Sequence, residues 1–110
     1  MKASSDIPNI DLNQRDWDEL KRIISEYVPE YTIWAFGSRV TGSAKPYSDL
    51  DIVIHSEQPL PLGRMAAIKD AFDESDLPIR VDVVDWAATS ASFREIIMQS
   101  YVVIQQENIS

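Results

Sequence analysis

Apolar positions recur along the chain with two different periods. Trp17, Leu20, Ile23, Ile24 and Tyr27 fall at helical spacing. Asn13 is suited to cap that helix, and Pro29 ends it. Tyr31 to Phe36 is a short apolar, strand-prone run, and a second strand runs from about Asp49 to His55. Leu62, Met65, Ile68 and Phe72 mark a second amphipathic helix, with Pro61 suited to its first turn and Gly63 weakening its start slightly. Beyond Pro78, Ile79 to Trp86 reads as a third strand. Ser92-Phe93-Arg94-Glu95 has the form of a capping box and opens a helix through Ile96, Ile97 and Ser100. Tyr101-Val102-Val103-Ile104 is compatible with a strand, but is expected to continue that helix or form a short extended segment. This order predicts an α+β domain, a small mixed β-sheet backed by helices. Residues 1–12 read as an N-terminal arm, 13–105 as the domain and 106–110 as a polar tail.

Composition narrows the picture. The 110 residues are 45% hydrophobic, enough for a single core. No apolar run is long enough for a transmembrane helix. Met1 to Asp6 is polar, without the apolar segment of a secretory signal. The absence of cysteine excludes disulfides and thiolate metal sites and fits a cytoplasmic location. The net charge is −8, and the ten basic residues are scattered. Affinity for nucleic acid rests on clustered Lys and Arg, so no nucleic-acid substrate is expected. The same acidity also serves simple solubility.

The chemistry concentrates in one stretch. Thr32-Ile33-Trp34-Ala35-Phe36 runs into Gly37-Ser38, and ten residues later the chain re-enters a strand at Asp49-Leu50-Asp51. Side chains alternate along a strand, so Asp49 and Asp51 share one face while Leu50, Ile52 and Ile54 bury on the other. Two like charges about 4 Å apart cost roughly 4 kcal/mol at an effective dielectric near 20. Such a pair is suited to hold a hard divalent cation. Mg²⁺ takes a few carboxylates, water and phosphate oxygens. Gly37 lets a phosphate approach the backbone, and Ser38 offers a hydroxyl and an N–H at a helix start. Arg39 is assigned to the nucleotide phosphates, with pairing to a nearby carboxylate as the alternative. Asp82, among β-branched residues in the third strand, is costly to bury unless it faces a site. Asp85 projects from the opposite face and reads as a strand-end or cap residue.

Trp34-Ala35-Phe36-Gly37-Ser38-Arg39-Val40-Thr41-Gly42, Tyr47-Ser48-Asp49-Leu50-Asp51 and Arg80-Val81-Asp82-Val83-Val84-Asp85-Trp86 carry a resemblance. The chain resembles the minimal nucleotidyltransferase (MNT) family of the polymerase beta-like nucleotidyltransferase superfamily, antitoxins paired with HEPN-domain toxins. The resemblance spans roughly residues 14 to 105. It implies a polymerase beta-like palm fold and a catalytic, metal-binding triad of Asp49, Asp51 and Asp82 holding two Mg²⁺ ions. Gly37, Ser38 and Arg39 then bind the nucleotide. The implied reaction transfers AMP from ATP to a tyrosine hydroxyl of the HEPN partner. Two alternatives stand beside it, an antitoxin acting by binding alone and a transferase acting on a small-molecule hydroxyl. The larger superfamily enzymes carry further domains for the acceptor, so here the acceptor is expected to dock from outside.

Other prominent residues have plainer expectations. His55, at the end of the second strand, is a packing residue before it is a metal ligand. Trp17, Trp34, Phe72 and Phe93 are expected in the core or an interface. Trp86 is expected to pack, with base stacking as the alternative. Lys45, in the loop after Gly42, is expected to be solvated.

Overall fold

The computed structural model describes residues 7–107. The outer parts of the expected arm and tail, residues 1–6 and 108–110, lie outside the described residues.

Asn13 caps the first helix, α1 (Gln14–Tyr27), its side-chain oxygen accepting from the Asp16 N–H at 2.8 Å. Strand β1 (Thr32–Phe36) leads through Gly37 into a single helical turn, α2 (Ser38–Thr41), closed by Gly42 in the left-handed conformation. Strand β2 (Leu50–His55) follows, then α3 (Leu62–Asp73) and β3 (Val81–Asp85). A short 3₁₀ turn at Trp86–Ala88 precedes α4 (Ala91–Gln99) and β4 (Tyr101–Gln105).

The four strands form one mixed sheet in the order β3-β2-β1-β4. β1 pairs antiparallel with both β2 and β4, while β2 and β3 run parallel, connected by the α3 crossover. Alternation along the strands sorts the side chains between two helical layers. Ile33, Ala35, Leu50, Ile52 and Ile54 pack in one cluster with Leu20, Ile23 and Ile24 of α1 and Ile68 and Phe72 of α3. Phe36 and Val53 project to the other face and pack with Ile97 of α4. Each fully buried aliphatic side chain is worth about 1.5–3 kcal/mol of transfer free energy. The fold is the mixed α+β arrangement expected.

Four local expectations are corrected. Tyr101–Gln105 is a strand, because β1 has a free edge and pairing there satisfies backbone groups that a longer α4 would not reach. The cap of α4 is Ser90, whose hydroxyl accepts from the Phe93 N–H at 3.2 Å, so Ser92 lies inside the helix. Pro61 sits at the cap of α3 rather than in its first turn, and Leu62 faces solvent at 88% exposure. Finally, residues 7–12 belong to the packed body. Ile10 is buried, Ile7 and Leu12 pack beside it, and the Asp11 N–H donates to the Arg39 carbonyl at 2.8 Å.

Candidate active site

Two sheet neighbours create the acidic centre. In the parallel β2–β3 register Asp51 stands directly opposite Asp82, so both carboxylates project from the α4 side of the sheet. Asp51 is half-buried, and its carboxyl is held above the usual carboxylate range. Burial is the larger cause, followed by the charges of Asp82 and Asp49. Asp49 precedes β2 and is exposed. Arg80 reaches Asp82 at 3.5 Å across a largely exposed contact, which counts for little.

Gly37 closes the site from β1. Its φ is +85° and its ψ −160°, a backbone state essentially reserved to glycine. A Cβ at this position would overlap the Asp51 carboxylate. Glycine is therefore required twice here, for the turn and for the room taken by an acidic side chain. Gly37, Asp51 and Asp82 line one cavity of about 390 Å³, together with Thr41 of α2, Phe36 and Val84 of the sheet, Phe93, Ile96 and Gln99 of α4, and Ser100 after it. Ser38, the first residue of α2, and Asp49 adjoin these residues in sequence but are not part of the lining.

The expected triad is thus assembled as a pair with a third charge nearby. Among the described residues no three His, Cys, Asp or Glu side chains already converge as a metal cage. The donor set nevertheless fits Mg²⁺ chemically. Paired carboxylates supply hard oxygens with a mutual repulsion that a cation relieves, and Mg²⁺ ordinarily completes its shell with water and phosphate.

Arg39 is placed differently from its assignment to nucleotide phosphates. It is buried at 7% exposure, and its guanidinium donates to four backbone carbonyls. These are Asp11 at 2.8 Å, Ser48 and Pro46 at 3.0 Å, and Lys45 at 3.4 Å. It ties the lead-in segment and the loop before Asp49 to α2. Among the described residues its hydrogen-bond partners are backbone carbonyls.

The family profile described as "Nucleotidyltransferase domain" matches residues 17–108. The chain belongs to that family. It is 54% identical over 98 residues to the Haemophilus influenzae protein named "Probable protein adenylyltransferase MntA", covering 89% of this chain and 86% of the relative. Among solved structures, a toxin–antitoxin complex with AMP-PNP superposes with a TM-score of 0.69 at 19% identity, over 84% of this chain and 74% of the other. The MNT antitoxin complex with the tri-AMPylated HEPN toxin of Shewanella oneidensis superposes with a TM-score of 0.64 at 18% identity, over 86% and 73% of the two chains. These likenesses establish a shared nucleotidyltransferase fold.

Other residues singled out in the sequence of this nucleotidyltransferase domain take structural places. Asp85 faces the opposite side from Asp82 and caps the 3₁₀ turn, as expected of a strand end. Its carboxylate also accepts from the Ser56 hydroxyl and from the Leu60 N–H at 2.8 Å. His55 lies between Trp34 and Trp86, with ring centroids at 3.8 and 4.4 Å. Burial, then the charge of Arg94, pushes its pKa below the ordinary histidine value. Trp86 packs against Trp34 and carries Arg94 over its face at 5.0 Å. Lys45 is exposed in its loop. Sequence reasoning missed the apolar lining of the cavity. Period-two alternation carried part of that signal, since Val84 lies two residues after Asp82. The approach of α4 is a tertiary fact without a local signature.

Proposed function

We propose that the chain is a Mg²⁺-dependent adenylyltransferase that moves AMP from ATP to a tyrosine hydroxyl of a HEPN toxin, and thereby acts as its antitoxin. One observation carries the reading: Asp51 and Asp82 face each other beside the bare Cα of Gly37, inside a cavity. The 54% identity to a protein named as an adenylyltransferase supports the nucleotide and the acceptor class. The AMP-PNP complex and the AMPylated HEPN toxin among the structural neighbours favour the same chemistry and partner.

In this reading Gly37 and Ser38 receive the triphosphate. Asp51 and Asp82, with Asp49 beside them, would hold the two Mg²⁺ ions. When bound, the metal would supply charge neutralisation and a lowered pKa at the acceptor hydroxyl. The acceptor oxygen attacks the α-phosphorus and forms the new P–O bond. The bond from the α-phosphorus to the bridging oxygen breaks, and pyrophosphate leaves with the electron pair. Asp82, on the edge strand and only partly buried, takes the hydroxyl proton and passes it to water. Arg39 is a positioning residue, holding the loop that delivers Asp49.

Co-expression with the HEPN partner and mass spectrometry tests this. The partner should gain AMP on tyrosine, and Asp51→Asn should cut that transfer by about 10²–10³-fold, the scale on which lost electrostatic stabilisation slows catalysis. An Asp51→Asn variant that fully neutralises an unmodified partner would instead establish an antitoxin acting by binding.

A further inference from the structure

The cavity that holds Asp51 and Asp82 is apolar immediately beside its acids. Phe36 is the cross-strand partner of Asp51. Val84 lies two residues beyond Asp82 on the same strand, so both apolar side chains project beside the carboxylates. Phe93 of α4 meets Phe36 edge-on with ring centroids 5.9 Å apart. Ile96 lies one helical turn further and also lines the cavity. Phe93 and Ile96 are 36% and 56% exposed, although α4 has a buried side at Ile97. Large apolar groups left open to water at a cavity mouth mark a surface that a ligand covers.

The chemistry of the two reactants separates them here. An adenine ring is joined to its α-phosphorus through a polar ribose. Its apolar contacts therefore fall a sugar's length from the acids. A serine hydroxyl brings no ring, and a sugar hydroxyl sits on a saturated polar ring studded with further hydroxyls. A phenol carries its flat apolar ring directly on the oxygen that reacts. We propose that Phe36, Val84, Phe93 and Ile96 form the slot for the ring of the acceptor tyrosine, and that Phe93 and Ile96 select an aromatic hydroxyl over an aliphatic one. The slot rests on the transferase reading above. An incoming ring would meet Phe93 in the offset or edge-on geometries that aromatic pairs prefer. The carboxylates would then face the hydroxyl, and the apolar wall would exclude water from the oxygen beside it.

Titrating the full-length, isotope-labelled protein with p-cresol and separately with adenosine, each followed by NMR, tests the slot. p-Cresol should move the signals of Val84, Phe93 and Ile96, and adenosine should not. Ile96→Ala, at an exposed position, should weaken p-cresol binding at least fivefold. It should also raise the KM for the HEPN partner by a similar factor while leaving the KM for ATP within twofold. Phe93→Ala should behave likewise, and an unchanged backbone spectrum would verify its fold. Shifts produced by adenosine at these residues, or a raised KM for ATP, would make the wall a nucleobase site and overturn the proposal. So would the absence of any p-cresol effect. If p-cresol binds as expected but wild-type protein transfers no AMP to the partner, the transferase reading fails instead.

Discussion

Asp51 bears most of the electrostatic cost of the site. It is half-buried, and Asp82 and Asp49 add like charge. Its folded pKa is raised, so wild-type stability falls as pH rises from the ordinary carboxylate pKa through the folded value. Asp51→Asn removes that loss. In metal-free buffer the variant should melt above wild type at pH 7, and the difference should vanish near about pH 3, where an ordinary carboxyl is protonated. A melting curve series across pH checks the sign. Adding Mg²⁺ with AMP-PNP should reverse the order, because ligand binding to the native state stabilises wild type alone. Arg39 shows the opposite economy. Its charge is buried among four carbonyls. Arg39→Ala should cost about 3 kcal/mol, since several charged hydrogen bonds are lost and partly buried carbonyls lose their donor. Denaturant unfolding gives the magnitude, and faster proteolysis between Ser43 and Ser48 would locate the loosened loop.

The elements differ in how they are held. α1 is anchored by Leu20, Ile23 and Ile24, all fully buried, and needs its cap least. α4 is only nine residues long, with Ile97 as its buried anchor, so its cap carries more weight. Ser90→Ala should therefore cost about 1 kcal/mol, and Ser92→Ala much less. Thermal melts of the two variants, differing by roughly 4 °C per kcal/mol, distinguish the two serines. β4 is secured at its far end by Gln105, whose amide donates to the Val28 and Tyr31 carbonyls at 2.9 Å each. Lys21 adds a bond from α1 to the Ile104 carbonyl at 2.7 Å. These side-chain clamps add to the backbone pairing with β1 that makes this segment a strand.

At the scale of the whole molecule, the sheet separates burial from chemistry. One face is sealed by α1 and α3. The other is only partly covered by α4, and its open end contains the acidic pair. No helix among the described residues is long and apolar enough to cross a membrane. The net charge of −8 makes encounter with a basic partner surface favourable at long range. If the proposed HEPN toxin is that partner, their association should slow as salt rises from about 50 to 500 mM, as the screening length shrinks below about 10 Å. Stopped-flow measurement of the association rate checks this, and dissociation should change much less.

Much of this protein was legible in its sequence because the information was local. Alternation in Leu50–His55 dictated which face each side chain takes, and helical spacing in α1 dictated its packed stripe. Gly37, Asp51 and Asp82 could be singled out because glycine and carboxylates are costly in those runs unless a site uses them. The tertiary structure alone decided the rest. Whether Tyr101–Gln105 became a strand depended on the vacant edge of β1. That Arg39 meets a set of carbonyls depended on where the chain at Asp11 and at Lys45–Ser48 came to lie. That Asp51 meets Asp82 depended on the parallel register, and the apolar wall beside them on the docking of α4. Periodicity along a chain reports which face a residue occupies. It carries no term for what a distant segment brings to that face.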